Sequence, residues 1–191
     1  METNYQIKKL SEVCDINMGQ SPASLTYNQN KKGLPFYQGK KDYGEINPTP
    51  RVWCSEPLKT VEKNDILISV RAPVGSLNIA SEKSCIGRGL AGLRAKANIL
   101  NQDFLYKFLK LKEKEISAKG TGSTFTAISK KDIEKIEIPV PSLLEQQKIV
   151  KRLDALSAKI RQAVELQKSQ LEDFKKLEKS YLREAFNGEL V

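Results

Sequence analysis

The chain contains no histidine. That one absence removes the commonest general base, the Ser-His-Asp and Cys-His nucleophile systems and every histidine-ligated metal. Catalysis would have to rest on carboxylates or lysines alone. Cysteine is scarce as well: Cys14, Cys54 and Cys85 are odd in number, far apart and without a CxxC pair. Neither a disulfide framework nor a zinc site is suggested, and the three read as reduced, buried thiols. There is no run of about 18 apolar residues to cross a membrane. The start, Met1-Glu2-Thr3-Asn4-Tyr5-Gln6, lacks the basic and then apolar stretches of a secretory signal. A cytoplasmic chain is expected.

At 191 residues the chain has room for one ordinary core and an appendage. Its formal net charge is +9, and the excess is uneven: residues 1–141 hold 22 basic and 15 acidic side chains, residues 142–191 only 10 and 8. A basic globular part favours a polyanionic partner, most simply nucleic acid. A merely soluble basic surface is the plainer alternative.

Before Pro139-Val140-Pro141 the pattern is one of short mixed elements. Ile66-Leu67-Ile68-Ser69-Val70 after the turn pair Asn64-Asp65 reads as a strand, and Leu77-Asn78-Ile79-Ala80 as another. Phe104, Leu105, Phe108, Leu109 and Ile116 recur at helical spacing, with Asn101 as a cap and Gly120 as a stop. Ser129 with Asp132 forms a capping box, flanked by Ile128 and Ile133 at the staple positions, and Ile136-Glu137-Ile138 runs extended.

After the prolines the character changes. Ser142 and Glu145 form a second capping box, and no Gly or Pro interrupts the chain from Leu143 to Phe186 before Asn187-Gly188. One helix of roughly 44 residues would extend about 66 Å, too long to pack on its own domain throughout. Its apolar stripe includes Leu153, Leu156, Ile160, Val164, Leu171 and Phe174. A bare stripe of that length requires a partner helix. The expected class is therefore α+β: a mixed α/β domain at 1–141, then a long coiled-coil-forming helix in 142–191.

Several apparent chemical motifs lack their context. Gly87-Arg88-Gly89-Leu90-Ala91-Gly92 matches G-x-G-x-x-G, yet Leu93-Arg94-Ala95-Lys96 reads as a strand end where a dinucleotide site needs a helix. Asn47-Pro48-Thr49-Pro50 resembles the adenine-methyltransferase loop without its second adjacent proline or its aromatic. Asp65 begins a strand as a nuclease acid would, but no Glu-x-Lys follows, and a turn role fits its Asn-Asp setting better. No cofactor is expected in this chain.

What remains is a set of loops suited to phosphates and base edges. Lys119-Gly120-Thr121-Gly122-Ser123-Thr124-Phe125-Thr126 offers hydroxyls on permissive backbone, with Thr121, Ser123 and Thr124 as candidate contacts. A plain interhelical surface loop is the alternative. In Phe36-Tyr37-Gln38-Gly39-Lys40-Lys41-Asp42-Tyr43, Gln38 suits adenine, Lys40 and Lys41 suit phosphate, and Tyr43 adds an aromatic face. A hairpin with buried rings is the competing reading. Arg71 and Arg88 follow apparent strands beside Pro73 and Gly87, where loops can aim them outward or hold them structurally.

The same segments carry a family resemblance. Ile68-Ser69-Val70-Arg71-Ala72-Pro73-Val74-Gly75, Cys85-Ile86-Gly87-Arg88-Gly89-Leu90, Gly122-Ser123-Thr124-Phe125, the run from Ile138 through Pro139-Val140-Pro141-Ser142 to Val150, and Ala185-Phe186-Asn187-Gly188-Glu189-Leu190 resemble the specificity subunit of type I restriction-modification systems. The resemblance implies a non-catalytic target-recognition domain that reads half of a split sequence in double-stranded DNA, followed by a spacer helix. It further implies DNA adenine methyltransferase subunits as partners, which would bind S-adenosylmethionine, and a restriction and translocation subunit. Members of the family ordinarily carry two recognition domains and two spacer helices, whereas this chain shows one of each. A homodimer through an antiparallel helix pair would restore two. A helical assembly subunit that does not itself read DNA is the alternative.

Overall fold

The computed structural model describes residues 5–118 and 127–188. It divides into two compact units, Met1–Gln147 and Lys148–Val191. In chain order the first unit holds β1 (Gln6–Lys9), α1 (Leu10–Val13), β2 (Cys14–Met18), β3 (Tyr27–Asn28), β4 (Leu34–Tyr37), β5 (Trp53–Cys54), β6 (Thr60–Val61) and β7 (Ile66–Ser69). There follow β8 (Leu77–Ile79), β9 (Ser84–Ile86), β10 (Leu90–Ala95), α2 (Gln102–Ala118), α3 (Lys130–Glu134) and β11 (Glu137–Val140). Helix α4 (Leu143–Phe186) begins in the first unit and makes up the described part of the second. The class is α+β, as the sequence predicts.

Three sheets build the first unit. The strands β2-β10-β7-β8 form an antiparallel sheet of four, and β1 pairs with β11. The third sheet has the order β3-β5-β4-β9-β6, with β4 and β9 parallel and the other pairs antiparallel. Because successive strand residues face opposite sides, Phe36 and Tyr37 of β4 enter two different apolar clusters. Phe36 joins Cys54 and Cys85, whereas Tyr37 joins Val61, Leu67, Ile86 and Leu90. Strand β7 is buried along its whole length, which explains its continuous apolar run.

The glycines of the Gly87–Gly92 stretch serve close packing. A Cβ on Gly92 would collide with the Val61 side chain, and one on Gly89 with the Gln38 carbonyl oxygen. Strand β10 starts at Leu90 inside the motif, so no helix opens there to receive a pyrophosphate.

Both capping boxes form. Ser129 and Asp132 exchange hydrogen bonds at the start of α3, with Ile128 and Ile133 buried beside them. The Ser142 amide donates to Glu145 Oε2 at 3.0 Å, and the Glu145 amide donates to Ser142 Oγ at 3.3 Å. Asn101 caps α2 through its side-chain oxygen, which accepts from the Phe104 amide at 2.9 Å. Gly188, at φ +75°, follows α4 in the left-handed conformation that glycine favours.

The first unit reaches past Pro141 because Gln146 is fully buried and tied down. Its amide donates to the carbonyls of Ile99 and Pro141 at 3.0 and 2.8 Å, and its oxygen accepts from the Asn101 amide at 2.7 Å. All three cysteines are free and buried. Burial pushes the thiols of Cys14 and Cys85 up to about 12, which keeps them protonated and inert near neutrality. Among the described residues no helix is long and apolar enough to cross a membrane.

Candidate nucleic-acid interface

One open cavity of about 470 Å³ collects loops from distant parts of the first unit. The segment after β4 turns into a short 3₁₀ helix, Lys40–Asp42, and contributes Gln38, Gly39, Lys40 and Lys41. The turn between β7 and β8 contributes Arg71, Ala72 and Pro73, while the link between β9 and β10 contributes Arg88 and Gly89. Ser21 and Tyr27 close the remaining side.

Each loop is fastened to the core. Asp42 is buried, and its Oδ2 accepts from the amides of Gln38 at 2.7 Å and Gly39 at 3.3 Å. Its other oxygen pairs with the Arg51 guanidinium at 2.7 Å. This side chain thus fixes the backbone that presents Gln38, Lys40 and Lys41. In the β7–β8 turn, Ser69 Oγ donates to the Pro73 carbonyl at 2.6 Å and accepts from the Ser76 amide at 3.0 Å. The Arg88 amide donates to Ser21 Oγ at 3.3 Å, and the Val70 amide donates to the Gly89 carbonyl at 2.9 Å.

Four cations line the cavity, and none of its lining residues is acidic. Lys40, Lys41, Arg71 and Arg88 are all exposed, and none of them is ion-paired among the described residues. Arg51 and Arg94 are different: they pair with the buried carboxylates of Asp42 and Asp65 and serve the fold. Unneutralised cations converging on one concavity create a positive potential fitted to a polyanion. Burial raises the phenol of Tyr27 above its ordinary range, and its hydroxyl donates to the Pro22 carbonyl at 2.8 Å.

Five residues expected from the sequence therefore share one surface: Gln38, Lys40, Lys41, Arg71 and Arg88. Tyr43 does not join them. Its ring packs against the cluster around Tyr37 and Val61, its hydroxyl is buried, and desolvation lifts its phenol well above the usual range. Tyr43 is therefore partly buried against the core and is not among the residues lining the cavity. Thr121, Ser123 and Thr124 lie outside the described residues. Ser21 and Tyr27 carry no local signal in the sequence, since only long-range folding brings residues 21 and 27 beside 71 and 88. Asp65 is a turn residue, its Oδ2 accepting from the Glu62 amide at 2.8 Å, and it also holds Arg94 through two bonds of 2.7 Å.

In the second unit, Leu153, Leu156, Ile160, Val164, Leu171 and Phe174 are all exposed on α4. Their spacing along one helix leaves an apolar stripe without cover in the single chain.

A family model for the type I restriction modification DNA specificity domain matches residues 2–173. The chain is 43% identical over 175 residues to the MjaX type I restriction enzyme specificity subunit of Methanocaldococcus jannaschii, covering 92% of this chain and 40% of that protein. A crystal structure of the HsdS subunit from Thermoanaerobacter tengcongensis superposes with a TM-score of 0.83 and 44% identity, over 99% of this chain and 46% of that one. A second solved structure, from work on complex assembly and conformational transition of the type I R-M system, gives a TM-score of 0.87 and 46% identity, over 99% of this chain and 47% of that one. The chain spans less than half the length of each of these relatives. By the family model over most of its length and by these relatives, the chain belongs to the family of type I restriction-modification specificity subunits.

Proposed function

We propose that the chain is a non-catalytic DNA-reading subunit that docks one half of a bipartite sequence in the cavity and recruits methyltransferase subunits to it. The observation that carries this reading is the convergence of four unpaired cations and the Gln38 amide on one concave surface without a carboxylate. Lysine and arginine fix register on phosphates, whereas an amide distinguishes bases. Gln38 would read adenine N6 and N7, while Lys40, Lys41, Arg71 and Arg88 hold the backbone on either side. S-adenosylmethionine belongs to the methyltransferase partner, and a restriction and translocation subunit completes the assembly. Recognition is assigned to residues 1–141 and pairing to the helix of 142–191, whose first residues through Gln147 are anchored in the first unit.

The exposed stripe of α4 supports the other half of the proposal, self-association through antiparallel helices. The test of DNA reading is a salt titration of duplex binding. Lys40→Ala or Lys41→Ala should weaken binding to all sequences and flatten the slope of log K against log salt by about 0.9 for each phosphate no longer neutralised. Gln38→Ala should alter sequence preference and leave that slope unchanged. A chain that retains no duplex, alone or with methyltransferase subunits, would support the helical-assembly reading instead.

A further inference from the structure

Leu25 sits 87% exposed on the 3₁₀ turn Ser24–Thr26, between Ser21 and Tyr27 of the cavity wall. A single exposed leucine is ordinary on a protein surface. This one sits on a turn held by several hydrogen bonds. The amide and the hydroxyl of Thr26 both donate to the Ala23 carbonyl, at 3.0 and 2.7 Å, and close the turn. Thr26 itself is buried, and its carbonyl accepts from the Ser55 amide at 3.1 Å. On the following residue, the Tyr27 ring packs on buried Phe36 with centroids 4.8 Å apart. The turn is fastened to the core while Leu25 stays in water, flanked by the small exposed residues Ala23 and Ser24.

We propose that Leu25 is a specificity-determining residue that packs on the 5-methyl group of a thymine in the major groove of the bound half-site. This rests on the reading of the cavity as a DNA interface. Among base edges in the major groove, the apolar feature is the thymine methyl, and an aliphatic side chain is its natural partner. Gln38, which lines the cavity, suits adenine. Each adenine is paired with a thymine whose methyl lies in the same groove, so an amide lining the cavity and an exposed aliphatic on the turn that joins two of its lining residues, Ser21 and Tyr27, match the two halves of A·T readout.

The test uses the full chain with its methyltransferase subunits and duplexes carrying the motif identified by methylation sequencing. Each thymine is replaced in turn by deoxyuridine, which removes only the methyl group. The unmodified protein should lose roughly fourfold in affinity at one position, the size expected for one buried methyl-sized group. Leu25→Ala should bind the thymine duplex correspondingly less well and no longer distinguish thymine from uracil there. An unchanged thymine-to-uracil ratio in Leu25→Ala, with motif binding retained, overturns this proposal alone. Equal weakening on both duplexes together with loss of DNA bending, seen by end-to-end energy transfer, also overturns it and assigns Leu25 as a wedge between base steps. Failure of the unmodified complex to prefer any motif overturns the DNA reading as well.

Discussion

Asp42 shows how a buried carboxylate can shape a surface that it does not itself line. It is 6% exposed, holds two loop amides and pairs with Arg51. Asp42→Ala would leave the Gln38 amide without its acceptor and Arg51 with the Lys41 carbonyl but without its carboxylate, a cost of about 1–3 kcal/mol for unsatisfied polar groups. On the proposed reading, DNA affinity should fall because Gln38, Lys40 and Lys41 lose their fixed backbone, while the salt slope should change little because none of the cavity's cations is removed. Chemical denaturation and the salt titration check the two halves of this prediction. Asp42→Asn keeps one acceptor oxygen and should recover part of both losses. None of this is legible locally: Lys40-Lys41 stands out as a cationic pair, but the partnership with Arg51 depends on the fold. The same holds at Tyr43, where an aromatic beside lysines looks like a stacking platform while long-range folding packs its ring, partly buried, against the core.

At the scale of elements, local signals carry much further. The two capping boxes, the Asn101 cap, the apolar run of β7 and the unbroken stretch from Leu143 to Phe186 are each specified by residues within a few positions of one another. Short strands such as β3, β5 and β6, two residues each, leave no periodicity to detect and exist because their neighbours pair with them. Gln146 illustrates the limit. It looks like one more polar helix residue, yet it is buried and makes three hydrogen bonds to the loop before α2 and to Pro141. Gln146→Ala should destabilise the first unit by about 1–3 kcal/mol, since the Asn101 amide and two carbonyls lose a partner. Thermal or denaturant melts measure it. The stripe on α4 behaves oppositely: Leu156→Glu, Ile160→Glu or Phe174→Glu should leave that melt nearly unchanged and abolish association. Light scattering of the unmodified chain and its methyltransferase complex decides this, because a monomer in both would rule out self-pairing.

For the whole molecule the consequence of pairing is symmetry. Two identical chains joined through antiparallel helices are related by a two-fold axis, and each presents the same cavity to its own stretch of DNA. The two half-sites must then be inverted repeats of one sequence. A continuous helix of 44 residues measures about 66 Å, nearly two turns of B-DNA at roughly 34 Å each, so it can act as a spacer between separated half-sites. The unread gap should therefore have a fixed length, and it should change when the helix is lengthened by whole turns. Single-molecule sequencing of DNA methylated by this chain with a cognate methyltransferase reads the motif directly. A symmetric, interrupted motif is the expected result. An asymmetric interrupted motif would mean that a different specificity chain supplies the second recognition surface, and a motif without a gap would remove the spacer role from α4 altogether.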